Sequence, residues 1–438
     1  MHKITNILFL FLTAVLLSSC DYFPYFDEED SDNEVQHTMI LYMLADSSLS
    51  GYLEEDLRET INAVSQDFSS RARIVVYYDR METRDKADST TLFLLKQNNI
   101  NTETNLERLE VLKTYSRQES TDPLVMQEVL NDVKELVPSR SYGLLISGHG
   151  SGWFPKPTNN IETNTELHAQ RVGQKPLTAI STEHSFIKQA NGPITRWIGN
   201  DNYYRFNTDR GRYERSHEET FMSAEELASG LSPIHFDYII FDACFMSSIE
   251  LLYELRNCCD YIVASPTEIL SDGFPYKDIV NSIFYNGGSL YNICERYMDF
   301  YFNNTESKQS ASIALIDCKQ IDALAEKVKQ IYTAGVNEVN HETIQHLEGI
   351  NNHVFFDMNQ YIRALCNDDA LYDEYMEQFN KTVLYKNNTQ SIFSTYGRVN
   401  ILADELDLCG VSTYIQRDHL PITKQYHQAT KWWQYISQ

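Results

Sequence analysis

Positive charge is scarce in this chain. Its 438 residues carry 36 Lys and Arg against 62 Asp and Glu, a formal net charge of −26. Such a surface repels phosphates, and no long Lys/Arg cluster offers a local exception, so a nucleic-acid partner is excluded. Cysteine is sparse and scattered, with eight residues and no CxxC pair, which argues against a zinc site. Phosphate loops, calcium-loop spacings and internal repeats are also missing, so no metal and no cofactor is expected. The N-terminal apolar run Ile7–Leu17 is too short to cross a bilayer as a helix. What the chain does have is the length for a large core and 28 Tyr, which sets it apart from disordered sequences.

The N-terminus reads as an export signal. Lys3 precedes the apolar run, which ends at Leu17-Ser18-Ser19-Cys20. That ending resembles the bacterial lipobox, in which the cysteine is lipidated and becomes the first mature residue. Residues 1–19 are then a lipoprotein signal peptide and Cys20 a membrane anchor, giving an exported protein at the outer membrane or cell surface. The acidic, aperiodic stretch 20–36 reads as a solvated tether. Seven cysteines remain: Cys244, Cys258, Cys259, Cys294, Cys318, Cys366 and Cys409. The odd number leaves at least one free thiol, and mostly buried thiols with room for one disulfide are expected.

Two stretches carry the chemistry. Ser141–Trp153 and Phe236–Glu250 each read as a short buried strand running into a reactive residue, His149 in one and Cys244 in the other. Ligands bind beyond the carboxyl ends of strands in an open parallel sheet. If the two strands are neighbours, an imidazole and a thiol meet there as general base and nucleophile. Ser247 and Glu250 have capping-box spacing, which predicts a helix starting near Ser247 and a thiolate favoured by its positive end. The amides of Gly150 and Cys244 are candidate oxyanion donors. Taken singly, Cys244 also reads as a small core residue and His149 as a turn histidine.

Along the chain, strands are predicted at Met39–Leu44, Arg73–Tyr78, Thr91–Leu95, Tyr142–Ile146, Tyr238–Phe241, Tyr261–Ser265 and Ser312–Ile316. Helices are predicted at Leu53–Val64, Pro123–Leu136, from the capping box Ser223–Glu226 to Leu231, and at Leu290–Phe302 and Ile321–Tyr332. This alternation predicts an α/β fold whose mostly parallel sheet is covered on both faces. The pattern fails over 154–217, which reads as a long loop rich in Lys156, Arg171, Lys175, Lys188, Arg196, Arg205, Arg210, Arg212 and Arg215. Gly287-Gly288 marks a boundary between a domain at 37–285 and a C-terminal α/β region at 286–438. Ser265 and Thr267, past another strand end, are candidate pocket residues.

Gly148–Trp153, Asp242–Arg256, Tyr261–Glu268, Gly273–Tyr276, Met39–Asp46 and Gln425–Tyr435 together resemble the clostripain family of cysteine peptidases. The resemblance covers about residues 38–438 and implies a caspase-like αβα sandwich with a Cys-His dyad. His149 and Cys244 fall on the family's catalytic positions. It implies cleavage of protein or peptide substrates after Arg or Lys, with Asp242 meeting the basic side chain, and self-cleavage in the basic loop. Asp242 also reads as a helix cap, and Asp46 as either a second pocket residue or a turn cap. Some relatives need calcium, but no calcium spacing is present. The alternatives are a catalytically silent surface lipoprotein that binds a partner, and a thiol hydrolase of other acyl groups.

Overall fold

In the computed structural model the described residues are 35–64, 71–80, 90–96, 108–115, 119–153, 198–207, 212–285, 288–350, 352–401 and 407–438. The signal, Cys20 and tether lie outside them. In chain order, the elements up to the first reactive stretch are β1 (His37–Ala45), α1 (Ser50–Ala63), β2 (Ala72–Arg80), β3 (Thr91–Leu95), β4 (Leu109–Thr114), α2 (Pro123–Leu136) and β5 (Ser141–Ser147). Then come β6 (Ile198–Asn207), β7 (Arg212–Met222), α3 (Ala224–Gly230), β8 (Phe236–Asp242), α4 (Ile249–Leu255), β9 (Cys259–Ala264), α5 (Tyr276–Phe284) and α6 (Leu290–Phe302). The rest comprises β10 (Ser312–Asp317), α7 (Ile321–Ala334), β11 (Phe356–Asp357), α8 (Met358–Leu365), α9 (Asp369–Thr382), β12 (Val383–Asn388), β13 (Phe393–Ser394), β14 (Val399–Asn400), β15 (Ser412–Thr413), α10 (Pro421–Ala429) and α11 (Lys431–Ile436).

Nine strands form one sheet in the order β12-β10-β9-β8-β5-β1-β2-β3-β4. β9, β8, β5, β1 and β2 run parallel, and antiparallel pairs flank them on both sides. All nine residues of β1 are buried, as in a strand covered on both faces. Its side chains alternate between two cores. Met39, Leu41 and Met43 pack with α1, α5 and α6, while Ile40, Tyr42 and Leu44 pack with α2 and the C-terminal helices. This is the αβα sandwich expected from the sequence. Chain order runs outward from β1 to β4 and then returns to β5 on β1's other side. That reversal opens a crevice at the carboxyl ends of β1 and β5, where α/β sheets bind ligands.

Four expectations change. The sheet is continuous across Gly287-Gly288, because β10 and β12 join it, so the C-terminal region completes the same sandwich. Residues 198–207 and 212–222 pair as an antiparallel hairpin and not as loop, while 154–197 and 208–211 lie outside the described residues. Lys156, Arg171, Lys175, Lys188, Arg196 and Arg210 therefore lie outside as well. α4 starts at Ile249 with Ser248 at its N-cap and no side-chain cap. The capping box is absent because Ser247 Oγ donates to the Gly410 carbonyl at 2.7 Å, and buried Glu250 accepts from Thr413 Oγ1 and the Tyr414 amide at 2.9 Å each. By contrast, Ser223 and Glu226 do form the predicted box. All seven thiols are free, and Cys259 and Cys318 lie 3.7 Å apart at sulfur.

Gly143 shows how tightly the central strands pack. A Cβ there would lie 1.9 Å from Tyr238 Cζ on neighbouring β8. Tyr238 is fully buried, and its hydroxyl bonds His37 Nε2 at 3.0 Å. Gly143→Ala therefore overpacks the core and is expected to cost about 1–3 kcal/mol. A thermal melt checks this, and an unchanged Tm would mean that Tyr238 moves aside freely.

Candidate active site

The register of β5 on β8 sets the geometry. Ser147 pairs with Asp242, so His149 and Cys244 each stand two residues beyond the last paired position of adjacent parallel strands. The Gly148 amide extends the pairing by donating to the Asp242 carbonyl at 3.2 Å. Gly150 then lies directly against the Cys244 backbone. A Cβ at Gly150 would meet the Cys244 carbonyl oxygen at 2.7 Å and its nitrogen at 3.0 Å, so only glycine permits this approach. Among the described residues, neither the Gly150 nor the Cys244 amide donates to a backbone carbonyl.

His149 is partly exposed, and its Nε2 lies 2.9 Å from Ser48 Oγ, just past β1. Burial lowers its pKa to about 4. Its carbonyl accepts from the Gly199 amide at 2.8 Å, so the start of β6 returns to the site. Cys244 is partly buried; its Sγ accepts from the Ile269 amide at 3.3 Å and lies 3.6 Å from the Ile269 carbonyl. Burial first, then the carboxylates of Glu268 and Asp242, push the thiol up to about 12. The expected thiolate is thus corrected. α4 begins too late in sequence to act on Cys244, the nearby charges are negative, and both the thiol and the imidazole are neutral.

The residues after Cys244 are held under strain. Phe245 has φ 61°, a left-handed backbone rare for aromatics. Its amide donates to the Thr267 carbonyl at 3.0 Å, and its ring stacks on Phe355 with centroids 4.6 Å apart. Buried Glu268 accepts from the Ser394 and Thr395 hydroxyls and from the Thr395 amide, which ties the β13 end to the site. Ser265 and Thr267 are fully buried, and their hydroxyls lie 3.0 and 2.7 Å from Ser312 Oγ. The sequence offered them as pocket lining. The structure gives them an internal role, with the Thr267 carbonyl holding Phe245 and the Ser265 carbonyl accepting from the Ser247 amide.

Beneath the sulfur lies buried acid. Asp242 accepts from the Tyr276 hydroxyl at 3.0 Å, and Gly273, at φ +58°, leaves only 2.8 Å between a built Cβ and Asp242 Oδ2. Burial raises its pKa to about 6, against the opposing hydrogen bonds from Tyr276 and the Phe274 backbone. Asp56 of α1, also buried, is raised to about 9 by burial and then by the charge of Asp242. Among the described residues no Lys or Arg forms an ion pair with either. Asp46 is buried just beyond β1. Sequence reading gave no site role to Ser48, Asp56 or Ile269. Asp56 is the lone buried acid of α1, beside Glu54, Glu55 and Glu59, a signal available only from the helix face.

The chain matches the Clostripain family over residues 41–167 and 196–431. A secreted C11 cysteine protease from Bacteroides thetaiotaomicron, solved with an irreversible peptide inhibitor, is similar at a TM-score of 0.70 and 25% identity, covering 92% of this chain and 99% of that one. The B. thetaiotaomicron protease called iotapain gives 0.70 at 24% identity over 92% and 99%. An inactive zymogen C11 protease from Parabacteroides distasonis gives 0.69 at 24% over 93% and 100%; the last two likenesses speak for the fold alone. No curated protein matches the chain. Together with the paired His149 and Cys244 strands, the family match leads to one conclusion: the chain belongs to the clostripain family of cysteine proteases.

Proposed function

We propose that this protein is an exported, lipid-anchored cysteine endopeptidase that cleaves after Arg or Lys. The observation that carries the specificity is the buried pair Asp242 and Asp56, which no described cation neutralises. Burial raises both carboxyls and the charge of Asp242 raises Asp56 further, and a guanidinium or ammonium from a substrate relieves both. Asp46 is the third acid at this edge and supports the pocket. Export rests on the N-terminal signal and on the relative described as secreted, and anchoring on Cys20.

In this reading Cys244 Sγ attacks the scissile carbonyl while His149 takes the thiol proton, since the resting pair is neutral. The tetrahedral oxyanion receives the Gly150 and Cys244 amides. His149, held by Ser48, then returns the proton to the leaving amine, and water releases the acyl group from sulfur. Fluorogenic peptides ending in Arg or Lys test this. The parent hydrolyses them, Cys244→Ala does not, and Asp242→Asn loses at least about 30-fold in kcat/KM, the effect of a broken buried charge pair worth about 2 kcal/mol or more. Equal rates in parent and Cys244→Ala would sink the proposal.

The pH profile follows from Asp242. Its raised value means that the empty pocket holds a proton below about 6, whereas a cationic side chain needs the carboxylate. kcat/KM for Arg peptides is expected to rise with pH through about 6, where Asp242 loses its proton and His149, which titrates near 4, is already neutral. Residual hydrolysis by Asp242→Asn should lack that limb; an identical limb in the variant would assign it elsewhere.

Self-processing within 154–197 fits the same site. Trp153 follows His149 closely, and the Gly199 amide bonds the His149 carbonyl, so both ends of that segment reach the site. The P. distasonis relative is described as a zymogen. Intact mass should show two chains for the parent, cut after Lys156, Arg171, Lys175, Lys188 or Arg196, and one chain for Cys244→Ala. A single chain in both would remove self-processing and leave the peptidase reading standing.

A further inference from the structure

Away from the thiol, the turn before β11 stacks two imidazoles beside a buried carboxylate. The rings of His346 and His353 have centroids 3.6 Å apart and planes 10° from parallel. His346 Nδ1 donates to the Glu348 carbonyl oxygen at 2.7 Å, and His353 Nδ1 donates to Glu348 Oε2 at 2.8 Å. Both partners are acceptors, so each ring keeps a proton on Nδ1 and becomes charged only by taking a second one on Nε2. Both histidines keep some exposure, while Glu348 is fully buried.

Two charged rings in van der Waals contact repel each other, and little at this turn offsets the second charge. Glu348 brings a single negative charge. Buried Arg417 brings a positive one, with its guanidinium donating to the His353 carbonyl and lying 5.6 Å from the Phe356 ring. His341, edge-on to Phe356 at 6.4 Å, and His419, 6.5 Å from His341, can add only positive charge. Of the acids beside them, Glu342 is exposed and Asp418 pairs with Lys424. Burial first, then the charge of His353, hold His346 below the ordinary histidine range, against the opposing Glu348 contacts.

We propose that the stacked pair His346 and His353 is an acid-sensitive latch on the Phe355 side of the reacting edge. The turn keeps its shape while the two rings hold at most one extra proton between them, and opens when both are charged. Backbone carries the change to the edge. Glu348 also accepts from the amides of Ile350, Val354 and Phe355, at 3.0, 2.5 and 3.3 Å, and the Leu347 amide donates to the Phe355 carbonyl at 2.9 Å. The Phe355 ring stacks on Phe245, next to Cys244 in sequence, and it bounds Gly152 in the His149 loop. Linkage fixes the sign. An open turn takes both protons near the ordinary histidine value of about 6.5, and the closed turn resists the second. The closed turn is therefore fully stable above about 6.5 and loses stability as pH falls below it.

The test uses the full chain carrying Cys244→Ala, so that self-cleavage cannot intervene. Hydrogen exchange at the Val354 and Phe355 amides, corrected for the intrinsic effect of pH, should speed up about tenfold or more between about pH 7.5 and about pH 5. His346→Gln removes one of the two charges and should abolish that increase. Should this variant fold poorly, NMR of carbon-13-labelled histidine in the Cys244→Ala protein must still show His346 and His353 titrating in two separated steps. Unchanged exchange at the lower pH, an equal increase in the His346→Gln protein, or two rings titrating independently would each overturn the inference. None of these readouts involves hydrolysis, so the peptidase reading is tested separately.

Discussion

Everything at the reacting edge depends on β5 lying beside β8 in one parallel register. Pairing Ser147 with Asp242 brings an imidazole and a thiol to the same level from positions far apart in sequence. The remaining gap is closed by missing atoms: Gly150 rests on the Cys244 backbone in a space where a methyl group would collide with a carbonyl. Order in this site is thus a property of the sheet, and the loops inherit it. The strained Phe245 persists because the Thr267 carbonyl and the Phe355 ring hold it from two sides.

The electrostatics of the edge run against a resting ion pair. Burial, and then the carboxylates of Glu268 and Asp242, keep the proton on the sulfur, while burial keeps the imidazole uncharged. Under the proposed specificity, a cationic side chain entering next to Asp242 would change that balance. Recognition and activation would then be linked, because a positive charge placed at Asp242 offsets part of the field opposing the thiolate.

Much of this was legible in sequence because strong local signals agreed with the global fold. Short apolar runs at Tyr142–Ile146 and Tyr238–Phe241 could only be strands, and the reactive residues follow them directly. The parallel core and its two covering layers followed from alternation. The failures share another cause. Ser247 and Glu250 have the spacing of a cap, yet tertiary partners from Gly410 to Tyr414 claim both side chains. The β6–β7 hairpin carries charged and polar residues where a buried strand would carry apolar ones, so its pattern reads as loop. Asp56 and the Glu348 turn become visible only when distant segments are brought together.

The position of the sheet's seam has a further consequence. A backbone break anywhere in 154–197 leaves β1 to β5 on one fragment and β8, β9, β10 and β12 on the other. His149 stays with the first fragment and Cys244 with the second, and no disulfide joins the described cysteines. A nicked molecule would therefore be a non-covalent heterodimer in which neither half holds both His149 and Cys244. Its recovery after denaturation would become a bimolecular, concentration-dependent event, where the uncut chain refolds by itself.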